Sequence, residues 1–347
     1  MNLSQDKASI LLIYTGGTIG MKENAPGEPL RPFDFDHIIS EVPELGKFAL
    51  KIDSYTFDPL IDSSDVEPGL WTALARLIEQ SRDKYDGFVV LHGTDTMAYS
   101  ASALSFMLEG LDKPVIFTGS QLPISTLRTD GKENLVSAVE IASAKDSQGR
   151  PRVPEVAVFF GSTLMRGNRS TKVDSESFTA FKSPNCPPLA EAGINIVYND
   201  ALIRHPEPGR PFRIWTDLDT SVSVLKIHPG ITADLARYFL CGSGTRASII
   251  ETYGSGNAIS QPWFINILKE ADSMGKVLLN VTQCLSGSVN MDLYATGKAL
   301  KNAGVISGYD CTTESALTKL FVLLGRYEDN SEVKRALEEN LRGEITK

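Results

Sequence analysis

The sequence predicts an α/β protein with a larger N-terminal domain, built on a mostly parallel sheet, and a smaller C-terminal α/β domain. Three observations lead to this class. Short apolar, β-branched runs that are typical of buried strands alternate with segments whose apolar residues recur at helical spacing. The chain has 347 residues, enough for two domains of ordinary size. The Pro-rich stretch His205–Pro211 shows neither the strand nor the helix periodicity. We therefore expect domains at 1–202 and 221–347, joined by a linker at 203–220.

The N-terminal half supplies the elements of the larger sheet. Strands are predicted at Ser9–Tyr14, Lys51–Phe57, Phe88–Leu91, within Pro114–Gln121, and at Val153–Phe160. Helices are predicted at about 67–82, 98–108 and 130–144, with a short one around Phe35–Ile39. A polar, basic segment that resembles a hairpin follows at Leu164–Lys172. The repeated strand–helix order predicts parallel strands with helices on both faces of the sheet.

The C-terminal half repeats the same alternation on a smaller scale. Strands are predicted at Ser223–His228, Ala247–Tyr253 and Lys276–Thr282, and helices at about 231–240, 261–273, 312–325 and 331–340.

Composition restricts the classes of partner. The formal net charge is −9, from 34 basic and 43 acidic residues, without a long basic run, which argues against nucleic acid or an anionic membrane as the main partner. No stretch approaches the roughly 18 apolar residues of a membrane span. The polar N-terminus does not resemble a signal peptide. The four cysteines and four histidines are scattered. We expect a reduced, cytoplasmic protein without a metal or cofactor.

The first motif is the stretch Asp86–Met97. An apolar strand ends at His92–Gly93, and Thr94–Asp95 then stands at the start of a predicted helix. Ligands of open α/β sheets bind at the carboxyl ends of the strands, which makes Thr94 and Asp95 candidates for a site. From this stretch alone, the favoured interpretation of Asp95 is a helix cap.

The second motif has the same layout. The strand Ser9–Tyr14 runs into Thr15–Gly20, where two adjacent glycines allow a tight turn that presents Thr18. The segment is neither a P-loop, because no Lys-Ser/Thr follows the glycines, nor a Gly-x-Gly-x-x-Gly dinucleotide fingerprint. A plain strand-to-loop turn remains the alternative for this segment.

Taken together, Thr15–Gly20 and His92–Met97 resemble the paired signature of the bacterial-type L-asparaginases, and the flanking sequence resembles their type I, cytoplasmic branch. Segments that carry the resemblance extend over essentially the whole chain: Ala101–Leu108, Thr118–Gln121, Arg166–Lys172, Gly254–Asn257, Thr282–Cys284, Tyr294–Gly297 and Asn340–Glu344. The resemblance implies an asparaginase-like fold and hydrolysis of L-asparagine to L-aspartate and ammonia.

The resemblance also implies roles for particular residues. Thr18 is the nucleophile that forms an acyl-enzyme, while Thr94, Asp95 and a neutral Lys172 form the proton relay. Nothing in the spacing distinguishes Lys172 from an ordinary solvated lysine, although burial readily lowers the pKa of a lysine. Backbone N–H groups of the Gly turns would stabilise the oxyanion.

Substrate contacts follow from the same resemblance. Asp62, Ser63 and Ser64 match the segment that grips the α-carboxylate and amino group of the substrate. Asn257 matches a residue that reaches the substrate from a neighbouring subunit, which implies a homo-oligomer, a dimer or a dimer of dimers (homotetramer). Without the resemblance, Asn257 is equally well explained as a turn residue in a Gly-rich loop.

Two further segments match the family's lid and its allosteric segment. Residues 21–46 are rich in Pro, Gly and charge and match the family's lid, but no Tyr lies between Tyr14 and Tyr55 to help activate the nucleophile. Thr282, Gln283 and Cys284 match the allosteric segment of relatives that asparagine activates. Glu251 stands where the allosteric bacterial relative has Arg, and a Glu repels a carboxylate that an Arg would clamp. We therefore expect weak or absent activation by asparagine.

Two alternatives to an asparaginase remain at the level of sequence. One is the asparaginase-like subunit of an archaeal tRNA-dependent amidotransferase, against which the acidic charge argues. The other is a non-catalytic sensor that binds asparagine or aspartate. Thr18, Thr94, Asp95 and Lys172 are all chemically competent, which speaks against loss of catalysis, whereas the lid without a Tyr is the feature that favours the sensor.

Overall fold

The computed structural model describes residues 7–22, 31–32, 40–242 and 244–347. The chain divides into two compact units, Met1–Ile214 and Trp215–Lys347. This division falls within the predicted linker, and residues 203–214 belong to the first unit. The predicted short helix at 35–39 and most of the predicted lid lie outside the described residues.

The first unit is organised around an eight-stranded sheet. Its strands are β1 Ser9–Tyr14, β2 Lys51–Thr56, β3 Gly87–Leu91, β4 Val115–Thr118, β5 Val156–Phe160, β6 Thr163–Arg166, β7 Ala190–Ala192 and β8 Ile196–Tyr198. They lie in the order β8-β7-β6-β5-β4-β3-β1-β2. The strands β1 to β5 are parallel, and β6, β7 and β8 are added antiparallel at one edge.

Helices cover this sheet, and the unit also contains three short strand pairs and several 3-10 turns. The helices are α1 Pro68–Ser81, α2 Met97–Met107 and α3 Gly131–Ser143. The two-residue pairs are Met21–Lys22 with Arg31–Pro32, Leu108–Glu109 with Arg213–Ile214, and Thr171–Lys172 with Phe181–Lys182. The 3-10 turns are Thr18–Gly20, Pro43–Lys47, Ser63–Asp65 and Gly167–Arg169.

The second unit is a four-stranded parallel sheet in sequential order. Its elements are β9 Val222–Lys226, α4 Ala233–Cys241, β10 Ala247–Thr252, α5 Pro262–Ser273, β11 Val277–Thr282, α6 Ala295–Asn302, β12 Val305–Ser307, α7 Thr313–Arg326 and α8 Asn330–Glu338. Because side chains alternate along a strand, Ile250 and Leu278 pack with α4, α5 and α6, whereas Ile249 and Leu279 pack with α7 and α8.

The predicted class, a larger domain with a mostly parallel sheet and a smaller α/β domain, is confirmed. Several features were not predicted. The edge hairpin β7–β8 and the fourth strand of the second sheet, β12, consist of three-residue strands, too short to show a periodicity. Helix α6 contains Gly297, where a Cβ atom would lie 2.6 Å from the carbonyl oxygen of Met291. That glycine is therefore required by packing, against its low helix propensity.

Helix α2 also corrects an interpretation of the sequence. Asp95 was a candidate cap, but the helix begins at Met97, and its N-cap residue Thr96 makes no side-chain capping bond. The Asp95 carboxylate contacts Lys172 and Ser63 instead. Among the described residues, no helix is long and apolar enough to cross a membrane.

Candidate active site

The turn after β1 places Thr18 at the carboxyl end of the sheet. Both the N–H and the hydroxyl of Thr15 bond to the carbonyl of Leu91 at 3.0 Å, which ties the end of β1 to the end of β3. Gly16 and Gly17 have φ values of 136° and 97°, a region that L side chains rarely adopt. Thr18 follows directly, at the start of a 3-10 turn, with its side chain half-buried.

Contacts between glycines bring the Thr18 turn against the loop after β3. A Cβ atom on Gly17 would lie 2.5 Å from the Cα of Gly93, so the two backbones touch. A Cβ atom on Gly93 would overlap the side chain of Ser63. Because Thr18 follows Gly17 and Thr94 follows Gly93, these contacts place the segments of Thr18, Thr94 and Ser63 side by side.

Lys172 reaches this place from a short strand that follows β6 in the chain. Its two-residue strand pairs with Phe181–Lys182, and Phe181 packs on Phe160 at the end of β5, with ring centroids 5.1 Å apart. The Lys172 Nζ donates to Thr94 Oγ1 at 2.8 Å and to Asp95 Oδ1 at 2.7 Å. The Lys172 side chain is only 19% exposed, whereas that of Asp95 is 61% exposed and accessible to a ligand.

The three residues of the segment after β2 differ in their placement. Ser63 is buried, its hydroxyl lies 3.5 Å from Asp95 Oδ2, and its carbonyl accepts from the Thr96 hydroxyl at 2.7 Å. Asp62 and Ser64 are exposed and bond to each other, since Asp62 Oδ1 accepts from both the N–H and the hydroxyl of Ser64 at 2.9 Å. Of the three residues, Ser63 is the one that contacts Asp95.

The remaining candidates lie in the second unit. Asn257 is half-buried, pairs through its backbone with Tyr253, and accepts a hydrogen bond from Thr296 Oγ1 to its Oδ1 at 2.6 Å. Nearby side chains of the same loops are exposed and apolar: Tyr253, Leu285, Leu293 and Tyr294.

The allosteric candidates lie at the carboxyl ends of β10 and β11. Glu251 Oε1 accepts from Thr313 Oγ1 at 2.6 Å, and its other oxygen lies 3.9 Å from Lys226. The Gln283 amide donates to the backbone carbonyls of Ile227 and Glu251 at 2.7 and 2.8 Å. Thr282 Oγ1 accepts from the N–H of the exposed Cys284 at 3.1 Å. The Gln283 side chain therefore links the residue after β9 to β10.

Sequence reasoning gave no role to two polar residues that shape the rim of the site. Asp130 accepts from the N–H groups of Gln121 and Leu122, which orders the loop after β4. Asn134 donates to the carbonyl of Gly119 at 3.0 Å and accepts from the N–H of Gly161 at 3.2 Å, joining the ends of β4 and β5. Asp130 directly precedes helix α3 and Asn134 lies in its first turns. Polar residues at the start of an amphipathic helix are the sequence signal that could have identified them.

No group of His, Cys, Asp and Glu side chains within the described part of the chain is arranged to hold a metal ion. All four cysteines, Cys186, Cys241, Cys284 and Cys311, are free.

Comparison with known proteins identifies the class that this fold and site define. A family model described as "Asparaginase, N-terminal" matches residues 9–204, and one described as "Glutaminase/Asparaginase C-terminal domain" matches residues 221–337. The chain therefore belongs to the asparaginase family.

Individual relatives cover almost the whole chain. L-asparaginase 1 of Escherichia coli K12 is 45% identical over 98% of both chains. The crystal structure of L-asparaginase I from Vibrio cholerae is 43% identical and has a TM-score of 0.89, over 98% of this chain and 100% of that one. The human 60 kDa lysophospholipase is 42% identical, over 97% of this chain and 61% of that protein.

Proposed function

We propose that the chain hydrolyses L-asparagine to L-aspartate and ammonia. The observation that carries this proposal is the Lys172 Nζ, which bonds to both Thr94 Oγ1 and Asp95 Oδ1 beside the turn that presents Thr18. An ammonium or amine between a hydroxyl and a carboxylate provides a continuous path for a proton. The two relatives named L-asparaginase, which are similar over nearly the full chain, support the same substrate.

In the proposed reaction, Thr18 Oγ1 attacks the side-chain amide carbon of asparagine. A threonine hydroxyl is a weak nucleophile unless a neighbouring group takes its proton, and the Thr94–Lys172–Asp95 path supplies that acceptor. The new C–O bond forms as the carbonyl electron pair moves onto the oxygen, and the proton of Thr18 passes to the path. The oxyanion then collapses, the C–N bond breaks, and the nitrogen takes that proton and leaves as ammonia. Water, activated through the same path, then hydrolyses the acyl-enzyme ester and releases aspartate.

Backbone N–H groups of the two Gly turns are the proposed oxyanion donors. The close contact of Gly17 with Gly93 brings the backbones of the two turns to one place. Such a donor typically stabilises the transition state by about 3–4 kcal/mol. The proposed reaction therefore uses side chains and backbone groups of the protein, together with water.

Binding of the substrate's α-carboxylate and amino group is assigned to Asp62, Ser63 and Ser64, with a contribution from Asn257 of a neighbouring copy. This assignment makes the active unit a homo-oligomer, a dimer or tetramer. The exposed apolar residues Leu293 and Tyr294 precede Thr296, which bonds to Asn257, and they support contact with another copy. The four free thiols fit a reducing, cytoplasmic compartment.

The decisive experiment measures ammonia release from L-asparagine by the purified protein and by Thr18→Ala. We expect turnover by the wild type and none above background by Thr18→Ala, with an unchanged circular dichroism spectrum. Thr126→Ala removes a hydroxyl from an exposed loop and serves as the matched control, with unchanged turnover expected. Near-normal turnover by Thr18→Ala would exclude Thr18 as the nucleophile.

The same assay separates the alternatives. If neither protein releases ammonia while asparagine still raises the melting temperature, the chain is a binding sensor. If turnover requires a misacylated tRNA and a second subunit, the amidotransferase alternative holds.

A further inference from the structure

A buried chain of hydrogen bonds runs behind the loop that carries Thr94. Trp71 Nε1 donates to Ser100 Oγ at 2.8 Å, Ser100 Oγ lies 2.9 Å from His92 Nε2, and His92 Nδ1 lies 2.7 Å from the carbonyl oxygen of Gly93. The exposed fractions of Trp71, Ser100 and His92 are 5%, 0% and 1%. The three side chains therefore form a network that excludes water from the back of the site.

The chemistry of the two ends gives the network a direction. An indole N–H only donates, and a carbonyl oxygen only accepts. His92 Nδ1 therefore carries the proton that bonds to Gly93. The Ser100 hydroxyl accepts from Trp71 and has a single proton to give, which it donates to His92 Nε2. The network thus selects one neutral tautomer of His92, with Nδ1 protonated and Nε2 bare.

The electrostatic surroundings agree with a neutral ring. Burial lowers the pKa of His92 from its ordinary value of 6.5 to about 4, against the opposing effect of the Gly93 carbonyl. The ring of Phe117 lies on one side, with its centroid 5.9 Å from that of His92. His92 therefore stays uncharged at neutral pH and is placed to act as a hydrogen-bond donor.

The carbonyl that His92 holds belongs to the peptide between Gly93 and Thr94. Because a trans peptide is planar, fixing that carbonyl toward His92 turns the N–H of Thr94 to the opposite side, away from the interior. Gly93 is held from its other sides by Gly17 and by the Ser63 side chain. A glycine would otherwise permit the peptide to rotate, since it has no Cβ to restrict its backbone.

We propose that His92 is a positioning residue, which as its Nδ1–H tautomer fixes the Gly93–Thr94 peptide and thereby aims Thr94 and its N–H at the reacting atoms. Ser100 and Trp71 keep the tautomer in place. The inference rests on the proposed function, because its effect on rate presupposes that Thr94 takes part in turnover. His92 itself touches neither the substrate nor Thr18 in this account.

Kinetics of two variants test the proposal. His92→Leu replaces the imidazole with an apolar side chain of similar reach that has no hydrogen-bond donor. His92→Asn, in contrast, keeps an N–H at the δ position. We expect His92→Leu to lower kcat about 100-fold, as expected when a reacting group is misplaced by about an ångström, with KM changed less than about threefold. His92→Asn should recover most of the lost kcat. A purely structural role would lower the melting temperature of both variants without this recovery.

A second variant and a spectroscopic measurement cover the case in which His92→Leu does not fold. Ser100→Ala keeps the packing of His92 but releases its Nε2, and we expect an intermediate loss of kcat. In protein labelled with 15N-histidine, the signals assigned to His92 by their absence from His92→Asn should show a protonated Nδ1 and a bare Nε2. They should stay unchanged between about pH 8 and pH 5.

Opposite results overturn the inference. These are wild-type kcat in His92→Leu, equal losses in His92→Leu and His92→Asn, or a His92 whose Nε2 carries the proton. Absence of turnover in the wild type would contradict the proposed function instead. The 15N measurement needs no substrate and decides the tautomer in either case.

Discussion

Gly17 and Gly93 pack backbone against backbone, at the point where the two signature turns of the chain meet. A Cβ atom added to Gly17 would lie 2.5 Å from both the Cα and the nitrogen of Gly93, and the φ of Gly17 is 97°. The contact leaves no room for a side chain on Gly17, and the side chain of Ser63 leaves none on Gly93. This crowding explains why each of the two candidate catalytic threonines directly follows a glycine.

The first prediction concerns this contact. Gly17→Ala should lower turnover by about 100-fold or more, because the turn must shift and carry Thr18 with it. It should also destabilise the fold by about 1–3 kcal/mol through backbone strain. Ammonia release and thermal unfolding measure the two effects. Gly69→Ala, in α1 with open space around its Cβ, is the control and should stabilise by about 0.4–1 kcal/mol. Wild-type turnover in Gly17→Ala would contradict the prediction.

The second prediction concerns the proton path. Lys172→Met keeps the length of the side chain but removes the group that bonds to Thr94 and Asp95. We expect ammonia release to fall about 10²–10⁴-fold, the usual contribution of a group that transfers protons. Lys182→Met changes an exposed lysine in the partner strand and should leave turnover unchanged. If Lys172→Met and Lys182→Met released ammonia at the same rate, Lys172 would not be part of the proton path.

A third prediction tests the assignment of Asn257. Thr296 donates to Asn257 Oδ1, so this bond fixes the amide oxygen and uses neither of the amide N–H donors. Thr296→Val removes that bond without a change of shape, and Thr296→Ser retains it. One hydrogen bond contributes about 0.5–1.5 kcal/mol, so KM for asparagine should rise up to about tenfold in Thr296→Val and little in Thr296→Ser.

Sedimentation of the same two variants provides the control for assembly. Both should remain dimers or tetramers, since Thr296 acts within its own chain. A wild-type monomer with full activity would contradict the contribution of Asn257 from a neighbouring copy.

The fourth prediction follows from the pKa of His92, which burial lowers to about 4 in the folded protein. Between pH 6.5 and pH 4 the unfolded chain binds a proton at His92 that the folded chain does not. The free energy of unfolding therefore decreases as pH falls through this window, and His92 causes no further change below it. The total from this residue is about 3 kcal/mol.

Urea unfolding at several pH values measures this effect. The informative quantity is the difference between wild type and His92→Asn, because the other ionisable groups are common to both proteins. The difference should vary with pH between 6.5 and 4 and be flat above pH 6.5. A difference that is independent of pH would mean that His92 titrates alike in both states.

The fifth prediction is that asparagine activates this protein weakly or not at all. The Glu251 carboxylate, which bonds to Thr313, would repel the α-carboxylate of a second asparagine. Initial rates should follow a hyperbola in asparagine concentration, also in Glu251→Gln, which lacks the paired donors of an Arg. A clearly sigmoidal curve for the wild type would refute the prediction.

Local patterns were sufficient for most elements of the fold. The strand Ser9–Tyr14 lies where it was predicted, and the long helices agree to within about two residues at their ends, because burial imposes apolar periodicities that a single segment displays. The three-residue strands at Ala190–Ala192 and Ile196–Tyr198 were not predicted, since the first is defined by its pairing with β6 and the second by its pairing with the first.

The sequence by itself determined the two glycine turns, the parallel direction of the central strands and the resemblance to the asparaginases, since each rests on local motifs or on the strand–helix alternation along the chain. Only the tertiary structure decided what Asp95 does. Its nearest cationic partner, Lys172, is 77 residues away in sequence, and from the local stretch a helix cap was the favoured interpretation. The contact of Gly17 with Gly93 and the network behind His92 are likewise products of strand order, because parallel neighbours bring their carboxyl ends together however far apart they lie in the chain.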